Sequence, residues 1–155
     1  VTPRIRAIET RYAGCRFRSR TEARWAKFLD HLSIPWVYEE QGFDLSGVAY
    51  LPDFYLPETA KYLEIKGPPI NEIDADKVLR LAAAVKGTAT VAVLQGDLPR
   101  ESFTRTVGGI KCWAPKQDGT PELVPSLWVV SPSAPAVDRA LTAARSARFE
   151  HGEHG

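Results

Sequence analysis

Asp53, Glu64 and Lys66 are the residues of this chain best placed to do chemistry together. Asp53 lies inside the apolar run Tyr50-Leu51-Pro52-Asp53-Phe54-Tyr55-Leu56, and Glu64-Ile65-Lys66 closes the next run. The period of two of a strand puts Glu64 and Lys66 on one face and Leu63 and Ile65 on the other. If the two runs pair, Asp53 comes beside Glu64. Two carboxylates suit a hard cation, and an ammonium beside them suits hydrolysis of a phosphodiester.

Each residue also has a plainer account. An Asp after Pro is commonly a turn residue. Asp53 has apolar neighbours on both sides, however, and a buried carboxylate needs a partner, either a metal or an Arg. Glu64 and Lys66 could be an ion pair on a half-exposed strand, worth little. Against that, Gly67-Pro68-Pro69 stops the strand sharply and leaves its end open. In a metal site Glu64 is the second carboxylate ligand and the backbone carbonyl of Ile65 a third oxygen. Lys66 is then nearest the attacking water. It could orient that water, lower its pKa, or stabilise charge developing on the phosphate. Glu22 has two accounts that are compatible. It completes the capping box Ser19-Arg20-Thr21-Glu22 by accepting the Ser19 backbone N–H, and from the first helical turn it could reach over the sheet toward Asp53. Glu39 and Glu40 read as surface charge that could add a ligand.

The elements that would position these groups are mostly legible. Residues 19–32 read as a helix, with Trp25, Phe28, Leu29 and Leu32 at helical spacing, stopped by Ser33-Ile34-Pro35. Residues 36–40, 48–56 and 61–66 read as strands, and Pro52 implies an edge, a bulge or a break in the second. Residues 41–47 read as a connection with some extended character, and 57–60 as a tight turn. A helix over 72–86, with Val78, Leu79, Leu81, Ala82 and Val85 inward, leads to a buried strand over 88–94. That order implies a parallel crossover. Residues 109–115 and 122–130 could form a hairpin around Asp118-Gly119, followed by a helix over 134–149. Residues 1–17 read as an irregular basic arm, a strand or a tail, and 150–155 as a disordered tail.

The 155 residues are enough for a substantial core, at 44% hydrophobic and 25% charged. No apolar run approaches the ~20 residues of a membrane helix, and the Arg-rich start lacks the apolar centre of a signal peptide. Cys15 and Cys112 are too few for a disulfide framework, so a reducing cytoplasm is expected. The net charge of +1 conceals a segregation. Residues 1–30 carry eight Lys or Arg against three acids, and residues 31–60 carry five acids and no Lys or Arg. Such an arrangement fits a protein that holds a polyanion and a cation together, or a solvated surface with clustered charge. Arg16, Arg18, Arg20 and Arg24 are the candidates for phosphate-backbone contacts. No P-loop, dinucleotide-binding or nucleophile-elbow motif is present, and no His or Cys has zinc-ligand spacing.

A helix with an inward Glu22, then Pro52-Asp53, then Glu64-Ile65-Lys66 on the following strand resembles the PD-(D/E)XK nuclease superfamily, in its small phage-type and resolvase-like members. The resemblance covers roughly residues 17–94, in which helix, strands, helix and strand occur in that family's order. No Q-x-x-x-Y follows the lysine as in the RecB-like branch. The resemblance implies a restriction-endonuclease-like three-layer α/β/α domain with a mixed, mostly antiparallel sheet. It would span 1–155, with its core at about 17–94 and a hairpin and helix over 95–149. Asp53, Glu64 and the Ile65 carbonyl would hold Mg²⁺ or Mn²⁺, with Glu22 as a further candidate ligand and Lys66 beside them. The activity implied is DNA endonuclease in a phage, recombination or repair setting, commonly as a homodimer, with branched or junction DNA one candidate substrate among flaps, single strands, specific duplex sites and RNA. The alternative is a nuclease-fold module without activity that binds nucleic acid or a protein.

Overall fold

The computed structural model describes residues 7–67, 69–99, 109–130 and 132–149. Arg4 and Arg6 of the basic arm, Pro68, and the expected 150–155 tail lie outside them. Among the described residues the chain forms ten strands and three helices. They are β1 (Thr10–Tyr12), β2 (Cys15–Phe17), α1 (Arg20–His31), β3 (Val37–Tyr38), β4 (Phe43–Asp44), β5 (Ala49–Tyr50), β6 (Phe54–Leu56), β7 (Lys61–Lys66), α2 (Glu72–Ala84), β8 (Thr90–Gln95), β9 (Gly109–Pro115), β10 (Leu123–Val129) and α3 (Ala134–Arg145).

Six of the strands make one mixed sheet in the order β10-β9-β8-β7-β6-β3. Among the described residues β7 and β8 are its parallel pair, joined through α2 as the strand–helix–strand order requires, and the other neighbours run antiparallel. Strand alternation divides the core between the two faces. Phe54, Leu56, Leu63, Leu94, Ile110 and Trp128 join α1 and α3 on one side. Tyr62, Val91 and Val93 join α2 and the β4–β5 hairpin on the other. The result is an α/β/α sandwich, and the β9–β10 hairpin and α3 belong to the same body as the N-terminal elements. Among the described residues no helix is long and apolar enough to cross a membrane.

The strongest elements form where local signals agree. Ser19 caps α1 by accepting the Glu22 N–H, and Trp25, Phe28 and Leu29 are buried. On α2, Val78, Leu81 and Val85 face the core while Leu79 and Ala82 stay partly exposed. On α3 the expected Val137, Ala140, Leu141 and Ala144 are all buried.

Three open readings are resolved. The basic arm contains a hairpin, β1–β2, turned by Ala13 and Gly14 with φ of 49° and 76°. Both residues are left-handed, as two-residue hairpin loops of this hand require. The stretch 41–47 supplies β4 and its turn to β5. The single strand expected over 48–56 is two, because the chain breaks at residues 51–53 around Pro52. Pro52 has no N–H to offer a ladder.

Candidate active site

β6 and β7 pair antiparallel with Phe54 opposite Leu63, Tyr55 opposite Tyr62 and Leu56 opposite Lys61. One step beyond this ladder, Asp53 faces Glu64. The Asp53 N–H donates to Glu64 Oε2 at 3.3 Å, and the Ile65 N–H donates to Asp53 Oδ2 at 2.7 Å. The break at Pro52 frees Asp53 from strand pairing on that side, and its carbonyl accepts the Glu39 N–H at 2.9 Å. Both acids are buried, Asp53 to 6% exposure and Glu64 to 3%. Lys66 Nζ lies 2.9 Å from Glu64 Oε1 and 3.6 Å from Asp74 Oδ1 on the first turn of α2.

Glu22 reaches the same place from α1. Its Oε1 accepts the Ser19 hydroxyl at 3.0 Å, and its Oε2 accepts the Tyr38 hydroxyl at 2.6 Å. The backbone donor is the Arg18 N–H at 3.3 Å rather than the expected Ser19 N–H. Glu22 is therefore cap and site wall at once. Asp53, Glu64, Lys66 and Glu22 line one cavity of about 360 Å³, with Tyr50 and Leu51 beside the β4–β5 hairpin, Arg18, and Lys77 of α2.

The electrostatics follow from burying acids together. Burial, then Glu64, then Glu22 hold the Asp53 carboxyl well above the ordinary aspartate range, against the Ile65 N–H and Lys66. Burial alone would lower the Lys66 pKa, but Glu64, Asp74 and Asp53 outweigh it and raise it. Lys66 is thus an ammonium, suited to stabilising negative charge and not to taking a proton. Burial and then Glu64 raise the Tyr50 phenol. Its hydroxyl is sealed from solvent beside Glu64 without a hydrogen bond of normal geometry.

The donor set fits a hard divalent cation. Asp53 and Glu64 offer oxygen only, and the charge they concentrate is balanced mainly by Lys66. The Ile65 carbonyl lies on the same edge of β7 as its N–H, facing Asp53, because a strand residue directs both groups to one neighbour. Mg²⁺ is commonly held by one or two carboxylates, with water and substrate phosphates completing its shell. Among the described residues no group of three His, Cys, Asp or Glu side chains could hold a metal ion.

The basic candidates do not gather in the same way. Arg18 lines the cavity and ion-pairs with Glu39. Arg16 pairs with Glu9 at 2.6 Å and Arg24 with Asp97 at 2.9 Å. Arg20 is half-buried at the start of α1. Glu39 is committed to Arg18, and Glu40 is exposed. Sequence reasoning missed Tyr38, Tyr50, Asp74 and Lys77. The spacing of Asp74 and Lys77, three apart on one helix face just after Lys66, was a usable signal.

A larger and mostly apolar cavity of about 1000 Å³ lies between α2 and the β9–β10 hairpin, lined in part by Leu79, Trp113 and Leu123. It has volume, but its ionisable groups are Glu72, Asp76, Arg80 and Glu122 at the rim, two of them already ion-paired to each other. The candidate residues Asp53, Glu64, Lys66 and Glu22 line the smaller cavity instead. Compared with protein-family models, with curated proteins and with solved structures, the chain matches none.

Proposed function

We propose that this protein is a divalent-metal-dependent DNA endonuclease of the PD-(D/E)XK type, with a restriction-endonuclease-like core. The observation that carries the reading is the register of β6 and β7, which sets Asp53 against Glu64 with Lys66 at 2.9 Å from the latter. Asp53 and Glu64 would hold Mg²⁺ or Mn²⁺, with the Ile65 carbonyl beside them. The bound ion would supply Lewis acidity and a water of lowered pKa. Lys66, already an ammonium, contributes by stabilising the charge that grows on the phosphate oxygens. Glu22, fixed by Ser19 and Tyr38, keeps the cavity wall negative and favours a cation there. Arg18 at the cavity is the first candidate to contact the phosphate backbone, with Arg16, Arg20 and Arg24 farther along α1 and the β1–β2 hairpin.

A second reading is a nuclease-fold module that binds nucleic acid or a protein without cutting. It is favoured by one observation: Lys66 already has two acidic partners, Glu64 and Asp74. Cleavage of supercoiled plasmid and branched DNA, with and without Mg²⁺, separates the two. Nicking by the wild type that needs Mg²⁺ and is lost in Lys66→Ala is the expected result. If wild type and Lys66→Ala behave alike, the catalytic reading is wrong.

A further inference from the structure

We propose that Tyr50 is a positioning residue of this site, and that its hydroxyl donates to the Glu64 carboxylate when Glu64 turns to hold a divalent cation. The inference rests on the metal-site reading above and adds a residue to it.

Tyr50 belongs to β5, in the hairpin laid over the α2 face of the sheet, and is 8% exposed. Its ring packs within the cluster that contains Leu45, Tyr62 and Val78. A phenylalanine would fill that space equally well, so packing accounts for the ring and not for the oxygen. The hydroxyl is buried with no hydrogen bond of normal geometry, its weak interaction of that kind being with Glu64, and buried polar groups almost always have a well-formed one. Among charged groups Glu64 acts on it most strongly, ahead of Asp53 and Asp74.

The Tyr50 hydroxyl lacks a well-formed bond while both oxygens of Glu64 are committed elsewhere. Its Oε1 is given to Lys66 at 2.9 Å and its Oε2 to the Asp53 N–H at 3.3 Å. That commitment can be released. Lys66 has a second acid, Asp74, at 3.6 Å, so Glu64 can change partners without stranding the ammonium. A cation held by Asp53 and Glu64 would supply the reason to change, and the Tyr50 hydroxyl, on the wall of the same cavity, would be available to donate to the reoriented carboxylate. Carboxylate ligands of metals are themselves held by hydrogen bonds, and removing such a partner typically costs ~10–100-fold in metal affinity or activity.

The test is Tyr50→Phe in the full chain, titrated with Mn²⁺ and followed by thermal unfolding and by tyrosine near-UV absorbance. Without metal, the variant should unfold at or above the wild-type temperature, since no well-formed hydrogen bond is lost. Its Mn²⁺ affinity should fall about ten-fold. The wild type should show a tyrosine difference signal on Mn²⁺ addition that the variant lacks. Equal Mn²⁺ affinity in the two proteins would overturn the role of Tyr50 and leave the nuclease reading standing. A lower unfolding temperature for the metal-free variant would mean that the hydroxyl is already bonded, and would also overturn it. A wild type that gains no stability with Mn²⁺ would remove the metal site and Tyr50's role together.

Discussion

The acidic and basic halves of the proposed site are built differently. Asp53 and Glu64 are eleven positions apart in sequence and meet because one hairpin register leaves them no alternative. The arginines at 16, 18, 20 and 24 lie close together in sequence but separate in space, two of them ending on Glu9 and Asp97. Short side chains on paired strands inherit their positions from the backbone. Long side chains on a hairpin and a helix take whichever acid is within reach. A cluster of charge in a sequence is therefore a weaker predictor of convergence in space than a modest motif carried on a strand.

Breaking the strand-borne set of Asp53, Glu64 and Lys66 should have the largest effect. Lys66→Ala should lower Mg²⁺-dependent cleavage by ~10²–10⁴-fold and leave Mn²⁺-induced thermal stabilisation in place, whereas Asp53→Ala should lose both. Loss of metal stabilisation in Lys66→Ala would instead make the lysine part of the cation's own support.

A smaller effect sharpens the comparison through stability. Asp53 is held above its ordinary range by burial and by neighbouring acids, so the folded chain binds its proton more tightly than the unfolded chain. Without metal, stability should fall as pH rises from the ordinary aspartate range through that raised value. Asp53→Asn should remove this slope and gain about 0.5–2 kcal/mol near neutral pH, as measured by urea unfolding with EDTA present. A variant less stable than wild type would mean that the carboxylate's bond from the Ile65 N–H outweighs the repulsion.

The smallest effects belong to the basic half. Arg18→Ala should weaken DNA binding and reduce its salt slope by about one, as expected for one phosphate contact. Arg16→Ala and Arg24→Ala should change it less, because all three arginines are ion-paired but Arg18 alone of them lines the cavity. Equal losses from all three in fluorescence anisotropy would mean that the surface pairs dissolve when DNA arrives.

The legible parts were those where several local rules agreed. α1 had a cap, an apolar stripe and a stop, and β7 had alternation and a Gly-Pro stop, so the positions of Glu22, Glu64 and Lys66 followed. Tyr50 was hidden because an aromatic within Tyr50-Leu51-Pro52-Asp53-Phe54 reads as core, and only the three-dimensional structure separates its ring from its unbonded hydroxyl. Asp74 and Lys77 were hidden on the polar side of α2, where charge usually means solvent. The β1–β2 hairpin was hidden because its turn is set by backbone conformation at Ala13 and Gly14, and its exposed arginines obscure the alternation of Thr10 and Tyr12.

The four-residue turn at 57–60 between β6 and β7 has a consequence for assembly. Closing so small a loop takes little chain entropy, and contacts this local form early relative to distant ones. The pairing that sets Asp53 against Glu64 is thus local to the β6–β7 hairpin, with β9, β10 and α3 contributing to the core beneath it. A circular permutant opened at Asp118-Gly119 would leave that hairpin whole, and the two acids would still find each other in the rewired chain.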